Sequence, residues 1–216
     1  MKAAKYLFFF TLIFSPLAFG TVEPWSYAVM EVAAAVAIFF CLVQALRGQG
    51  PFPEIPGLTF LLLLPAWMLL QVVPLPAAVV QLLSPEAFNI WQEAAFATGN
   101  DQWMSLSVHP RETIAAFFRY GVYAGFYVLT IHLLVSRETM RQTVFAVAVF
   151  GGVLAFSSIL QLYLTDNLAL WFRHVPGAPM GPYVNANHYA GLMEMMFPVV
   201  LALFLFLRPR IGDASF

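Results

Sequence analysis

The chain has 216 residues, of which 61% are hydrophobic, 16% aromatic and 10% charged, and its formal net charge is −1. Soluble domains carry roughly 45–50% apolar and about 25% charged residues, and disordered chains combine low hydrophobicity with high net charge, so both classes are excluded. There is no basic cluster to serve a nucleic acid, and the lone Cys41, between Phe40 and Leu42, has no disulfide partner and reads as a buried small hydrophobe.

The apolar residues gather into repeated runs, and the mean hydropathy is +0.79. A bilayer core is about 30 Å thick, so a spanning helix needs roughly 17–25 mostly apolar residues. Runs such as Leu61-Leu62-Leu63-Leu64 and Ala33-Ala34-Ala35 lack the alternation of a transmembrane β-barrel. The expected fold class is all-α: a polytopic transmembrane helix bundle in one domain, with six spans at 6–19, 25–46, 57–75, 112–135, 139–164 and 186–207.

Lys2 and Lys5, the apolar stretch 7–14 and then Ala18-Phe19-Gly20 have the layout of a cleavable signal peptide. The next apolar run follows so closely that an uncleaved first helix is the favoured reading. Pro51, Pro53 and Pro56 punctuate the link between the second and third spans. In the long connection 76–111, Ser84-Pro85-Glu86 supplies a capping hydroxyl, a proline at the first helical position and an acid at the positive helix end. Phe88, Trp91 and Ala95 then share one side of a short amphipathic helix, either lying on the membrane or packed on protein, and Gly99-Asn100-Asp101 closes it as a turn.

Orientation follows from the cations. A cytoplasmic N-terminus puts Lys2, Lys5, Arg47, Arg137, Arg141, Arg208 and Arg210 inside and only Arg111 and Arg173 outside, which is the positive-inside pattern. The connections 76–111 and 165–185 are then external, and function is expected on that face.

Three charges fall inside spans. Arg119, Glu31 and Glu194 lie at similar depth below the outer surface, Arg119 about 10 Å in at ~1.5 Å per residue. A buried arginine needs a partner, so the three are expected to form a structural ion cluster or to line a pathway. Gly121 and Gly125 on the same helix form a G-x-x-x-G packing motif.

The external stretch 171–190 is richest in chemistry. It combines Arg173, His174, Asn185, Asn187 and His188 with ring-bearing side chains at the mouth of the bundle. Arginine presents a fixed fork of donors to phosphate, and Asn185 or Asn187 can cap the sixth span, whose free N–H groups also favour an anion. The four histidines lack the H-x-x-x-H spacing of a zinc helix, and no phosphate loop, nucleophile elbow or dinucleotide fingerprint is present, so neither metal nor cofactor is expected.

Three segments carry a resemblance: Phe19-Gly20-Thr21-Val22-Glu23-Pro24-Trp25-Ser26, then Leu106-Ser107-Val108-His109-Pro110-Arg111-Glu112-Thr113, and then Arg173 and Gly177 followed by Gly181-Pro182-Tyr183-Val184-Asn185-Ala186-Asn187-His188-Tyr189-Ala190-Gly191-Leu192-Met193-Glu194. In this order they resemble the O-antigen ligase/O-antigen polymerase family of bacterial envelope polysaccharide enzymes. Ala186 departs from the proline or arginine that relatives often carry between the asparagines. The resemblance implies the N-terminal half of a glycosyltransferase-C-type fold in the bacterial inner membrane. It also implies transfer of a glycan from an undecaprenyl-diphosphate carrier to an acceptor hydroxyl at the periplasmic face, without a metal. Family members have further spans and carry the general-base histidine in a loop of their second half, so a C-terminal half is the implied partner and the catalytic base is not assigned here. Arg173 is the expected diphosphate contact. Two other classes stay open: a non-catalytic membrane scaffold or partner subunit, and a transporter or flippase-like protein using Glu31, Arg119 and Glu194.

Overall fold

A computed structural model describes residues 2–48, 54–98, 103–165, 168–174 and 179–207. The expected turn at Gly99-Asn100-Asp101, together with Pro51, Pro53, Gly177 and the terminal Arg208 and Arg210, lies outside the described residues. The chain divides into two compact units, Met1–Pro53 with Leu129–Phe216, and Glu54–Val128.

The first unit opens with a helical hairpin, α1 (Lys2–Leu17) and α2 (Pro24–Leu46). Its corner follows from local chemistry. Pro16 has no N–H to extend the α1 ladder, Gly20 takes a left-handed φ of 66° inside a single 3₁₀ turn (Phe19–Thr21), and Pro24 opens α2 where no N–H is needed. Ala4, Phe8 and Thr11 of α1 are buried, as are Met30, Ala33, Ala34, Ala37 and Cys41 of α2, at the spacing of one helical face. The alanines let the two backbones approach closely.

In the second unit, α3 (Leu58–Val72) is followed by β1 (Leu75–Pro76), α4 (Ala77–Leu83), α5 (Pro85–Thr98) and β2 (Trp103–Met104). The strands pair antiparallel, Leu75 with Met104 and Pro76 with Trp103. α5 starts where Ser84-Pro85-Glu86 predicts, and its Ala87, Phe88 and Trp91 pack against Val80 and Met104, with the Trp91 indole N–H donating to the Ser105 carbonyl at 2.9 Å. Of the two expectations for this helix, these contacts match packing on protein; the Ala95 side chain lies outside the described set. α4 was not foreseen.

The chain continues through α6 (Pro110–Leu134), which carries the boundary between units, and then α7 (Arg137–Leu164). Along its first part α6 is tied to α3 by the Tyr120 hydroxyl, which donates to the Leu61 carbonyl at 3.2 Å. Ser136 caps α7 by accepting from the Thr139 N–H. Back in the first unit, a short hairpin of β3 (Leu168–Ala169) and β4 (Arg173–His174) leads to α8 (Ala186–Leu207). Gly151, Leu154 and Ser158 of α7 face Tyr189, Leu192 and Met196 of α8.

Among the described residues, α2, α6, α7 and α8 are long and apolar enough to cross a bilayer. Their 22 to 28 residues extend about 33–42 Å at ~1.5 Å per residue. The expected spans 6–19 and 57–75 sit in helices of 16 and 15 residues, about 24 and 22 Å long. The fold is that of an α-helical membrane protein.

Candidate functional site

The segment after α7 does not project beyond the helix. It folds back along it. Gln161 Nε2 donates to the Leu168 carbonyl, and the Trp171 indole N–H donates to Ser157 Oγ at 3.1 Å. Ser157 lies seven residues before Leu164, so the hairpin tip reaches about 10 Å down from the end of α7 at ~1.5 Å per residue. The side chain of Phe172 at that tip is 71% exposed, and Tyr163 nearby in sequence is also exposed.

Gly181 carries the next stretch across the same helix. At φ 56° it packs so closely that a Cβ would collide with Ser158 Oγ on α7. Its carbonyl accepts from the Leu170 N–H at 2.9 Å, which ties the approach to α8 onto the hairpin. Tyr183 then lays its ring against Gly20, and burial pushes its phenol above the usual tyrosine value.

Through these contacts two of the three resemblance segments meet within the first unit. Arg173 Nη2 donates to Glu23 Oε1 at 2.6 Å, a charge-assisted bond between residues 150 positions apart. The guanidinium also lies over the Phe19 ring, 4.6 Å from its centroid, within cation–π range. Phe19 in turn meets Phe172 edge-on. Both turns that frame the pair are strained: Phe19 and Thr21 on one side, and Leu170 and Trp171 on the other, hold φ between 49° and 71° without being glycine. Each such residue costs about 1–3 kcal/mol and persists only where its surroundings hold it.

Asn185 is the cap of α8: its Oδ1 accepts from the Asn187 N–H at 2.9 Å. Asn185, Asn187 and His188 are exposed at the start of that helix, and His174 is exposed on β4. Among the described residues no hydrogen bond joins any of them to Arg173. Glu31 is half-buried, whereas Arg119 and Glu194 are exposed; Arg119 belongs to the second unit, the two glutamates to the first. The residues that sequence reasoning passed over as partners are Glu23 and Phe19. Charge matching was the available signal: Glu23 is the one acid of the turn 20–24, opposite the one arginine of 165–185.

The fold defines a helical membrane protein whose ordered ionic site hangs on a folded-back loop. No family model, curated protein or solved structure matches the chain.

Proposed function

We propose that this chain is the N-terminal, carrier-binding half of an O-antigen ligase/polymerase-like glycan transferase. In this reading it has six spans with both termini in the cytoplasm, lies in the bacterial inner membrane, and works at the periplasmic face. Arg173 holds the diphosphate of an undecaprenyl-linked glycan, with Asn185, Asn187, His188 and His174 at the rim. The observation that carries the proposal is the Arg173 constellation: an arginine oriented by Glu23 and Phe19 between strained turns, on a loop folded back beside exposed aromatics. In this reading the folded-back hairpin, about 10 Å along α7 from its end at ~1.5 Å per residue, holds Arg173 at the level of a lipid-borne diphosphate head group. Departure of the sugar from its diphosphate develops negative charge, which a fixed arginine stabilises without a metal. The proton of the acceptor hydroxyl goes to a base in the second half that the family resemblance implies.

The test is glycan transfer in membranes with the complementary half supplied, normalised to folded protein. Arg173→Lys keeps the charge but not the fork and is expected to lower transfer. Arg173→Ala is expected to lower it by roughly 10²–10³-fold, the range for loss of one charge-stabilising donor. Near-normal transfer by the alanine variant overturns the proposal. The Glu23 pair also favours a second reading, in which Arg173 is only a clip and the chain a non-catalytic partner subunit. Under that reading the variants change abundance and leave turnover intact.

A further inference from the structure

Arg173 meets its partner through one nitrogen and one oxygen, Nη2 to Oε1 at 2.6 Å. Among the described residues its other N–H groups have no hydrogen-bond partner, so most of the fork remains available. Phe19 supports the guanidinium by its face, at 4.6 Å, and consumes no donor. The two charged side chains are 37% and 31% exposed, which lets a solute reach them and keeps their mutual attraction modest. Glu23 also has another place to go. It is the N-cap residue of α2, yet its side chain makes no cap hydrogen bond, having turned to Arg173 instead. The positive end of α2 is therefore a second favourable position for the same carboxylate.

We propose that Glu23 is a built-in competitor at the anion site: its carboxylate holds Arg173 until a diphosphate displaces it towards the α2 terminus. The proposal rests on the diphosphate reading given above. Exchange runs in that direction because a phosphate group offers two oxygens to the fork and more than one negative charge, against a single oxygen from Glu23. The same comparison makes Glu23 a specificity residue. A monovalent carboxylate gains nothing over the one already in place, so it is rejected, while a phosphate-bearing anion enters.

The experiment uses the full chain in neutral phosphatidylcholine nanodiscs, with inorganic pyrophosphate and acetate as probes and calorimetry as the readout. Glu23→Gln removes the competitor and is expected to bind pyrophosphate at least threefold more tightly than wild type and to admit acetate. Glu23→Asp retains charge at α2 but shortens the reach, and an intermediate gain is expected; it carries the test if the glutamine variant does not fold. Arg173→Ala is expected to abolish binding. Unchanged or weaker pyrophosphate binding in both Glu23 variants, with Arg173→Ala still inactive, overturns the competitor and leaves the diphosphate reading standing. Binding that survives Arg173→Ala, or that is absent from wild type and both Glu23 variants, overturns the diphosphate reading and the competitor with it.

Discussion

A methyl group on Gly20 would strike the ring of Tyr183, and the backbone there stands at a left-handed φ of 66°. Gly20→Ala therefore combines overpacking with backbone strain, and a loss of about 1–3 kcal/mol is expected in thermal unfolding in detergent. Tyr183→Ala on that background removes the obstacle but not the strain, so partial recovery is expected. The Tyr183 phenol adds a pH dependence of its own. Its value is raised by burial, so the folded state favours the neutral ring. That contribution is complete below the unfolded tyrosine value of about 10 and fades as pH rises through the higher folded value. Tyr183→Phe cannot ionise, and its melting temperature is expected to fall less steeply across the alkaline range than that of wild type.

At the scale of the elements, the start of α8 and its packing on α7 make separable predictions. Asn185 satisfies the Asn187 N–H, so Asn185→Ala is expected to cost about 1 kcal/mol and Asn185→Asp to cost much less. Urea or thermal unfolding of the two variants checks this. Further along the same interface, a Cβ on Gly151 would stand 2.9 Å from Met196 Sδ. That sulfur ends a flexible side chain, which can move aside. Gly151→Ala is thus expected to be tolerated within about 1 kcal/mol, and Gly151→Leu to lose about 1–3 kcal/mol by overpacking. Met196→Ala should restore part of the leucine variant's stability. Additive losses in the pair would place the leucine elsewhere than against Met196.

For the whole molecule the open quantity is direction across the bilayer. α7 has 28 residues, about 42 Å at ~1.5 Å per residue, so Ser136 before it and Phe172 in the folded-back hairpin are useful reporters near opposite ends. The cation bias predicts Ser136 on the cytoplasmic side and Phe172 on the external side. On a Cys41→Ala background, a membrane-impermeant thiol reagent added to intact cells is expected to label Phe172→Cys and spare Ser136→Cys. The reverse pattern would invert the topology and put Arg173 on the wrong face for the proposed carrier.

What the sequence determined by itself was most of what is encoded locally, the two-turn α4 being the exception. Runs of apolar residues marked α2, α6, α7 and α8, Ser84-Pro85-Glu86 marked the start of α5, Asn185 stood where a cap was needed, and Cys41 was placed in the buried set. Arg173 stood out as an anion-binding candidate because it is the one arginine of 165–185, in a stretch that also carries carboxamides, in so apolar a chain. Its partner was not. Glu23, just before Pro24, looks locally like an acid at a helix start, and only the folded unit turns its carboxylate away to residue 173. The folding back of 165–185 along α7 was hidden for a related reason. In a helix that faces lipid on one side and protein on the other, both sides are apolar, so the hydrophobic period does not say which neighbour a face meets. That choice rests on sparse contacts between distant residues: Gly181 against Ser158, Gly20 against Tyr183, and the Trp171 bond to Ser157. Each depends on a missing Cβ or a single polar partner, and such pairings exist only once the tertiary structure has brought their two halves together.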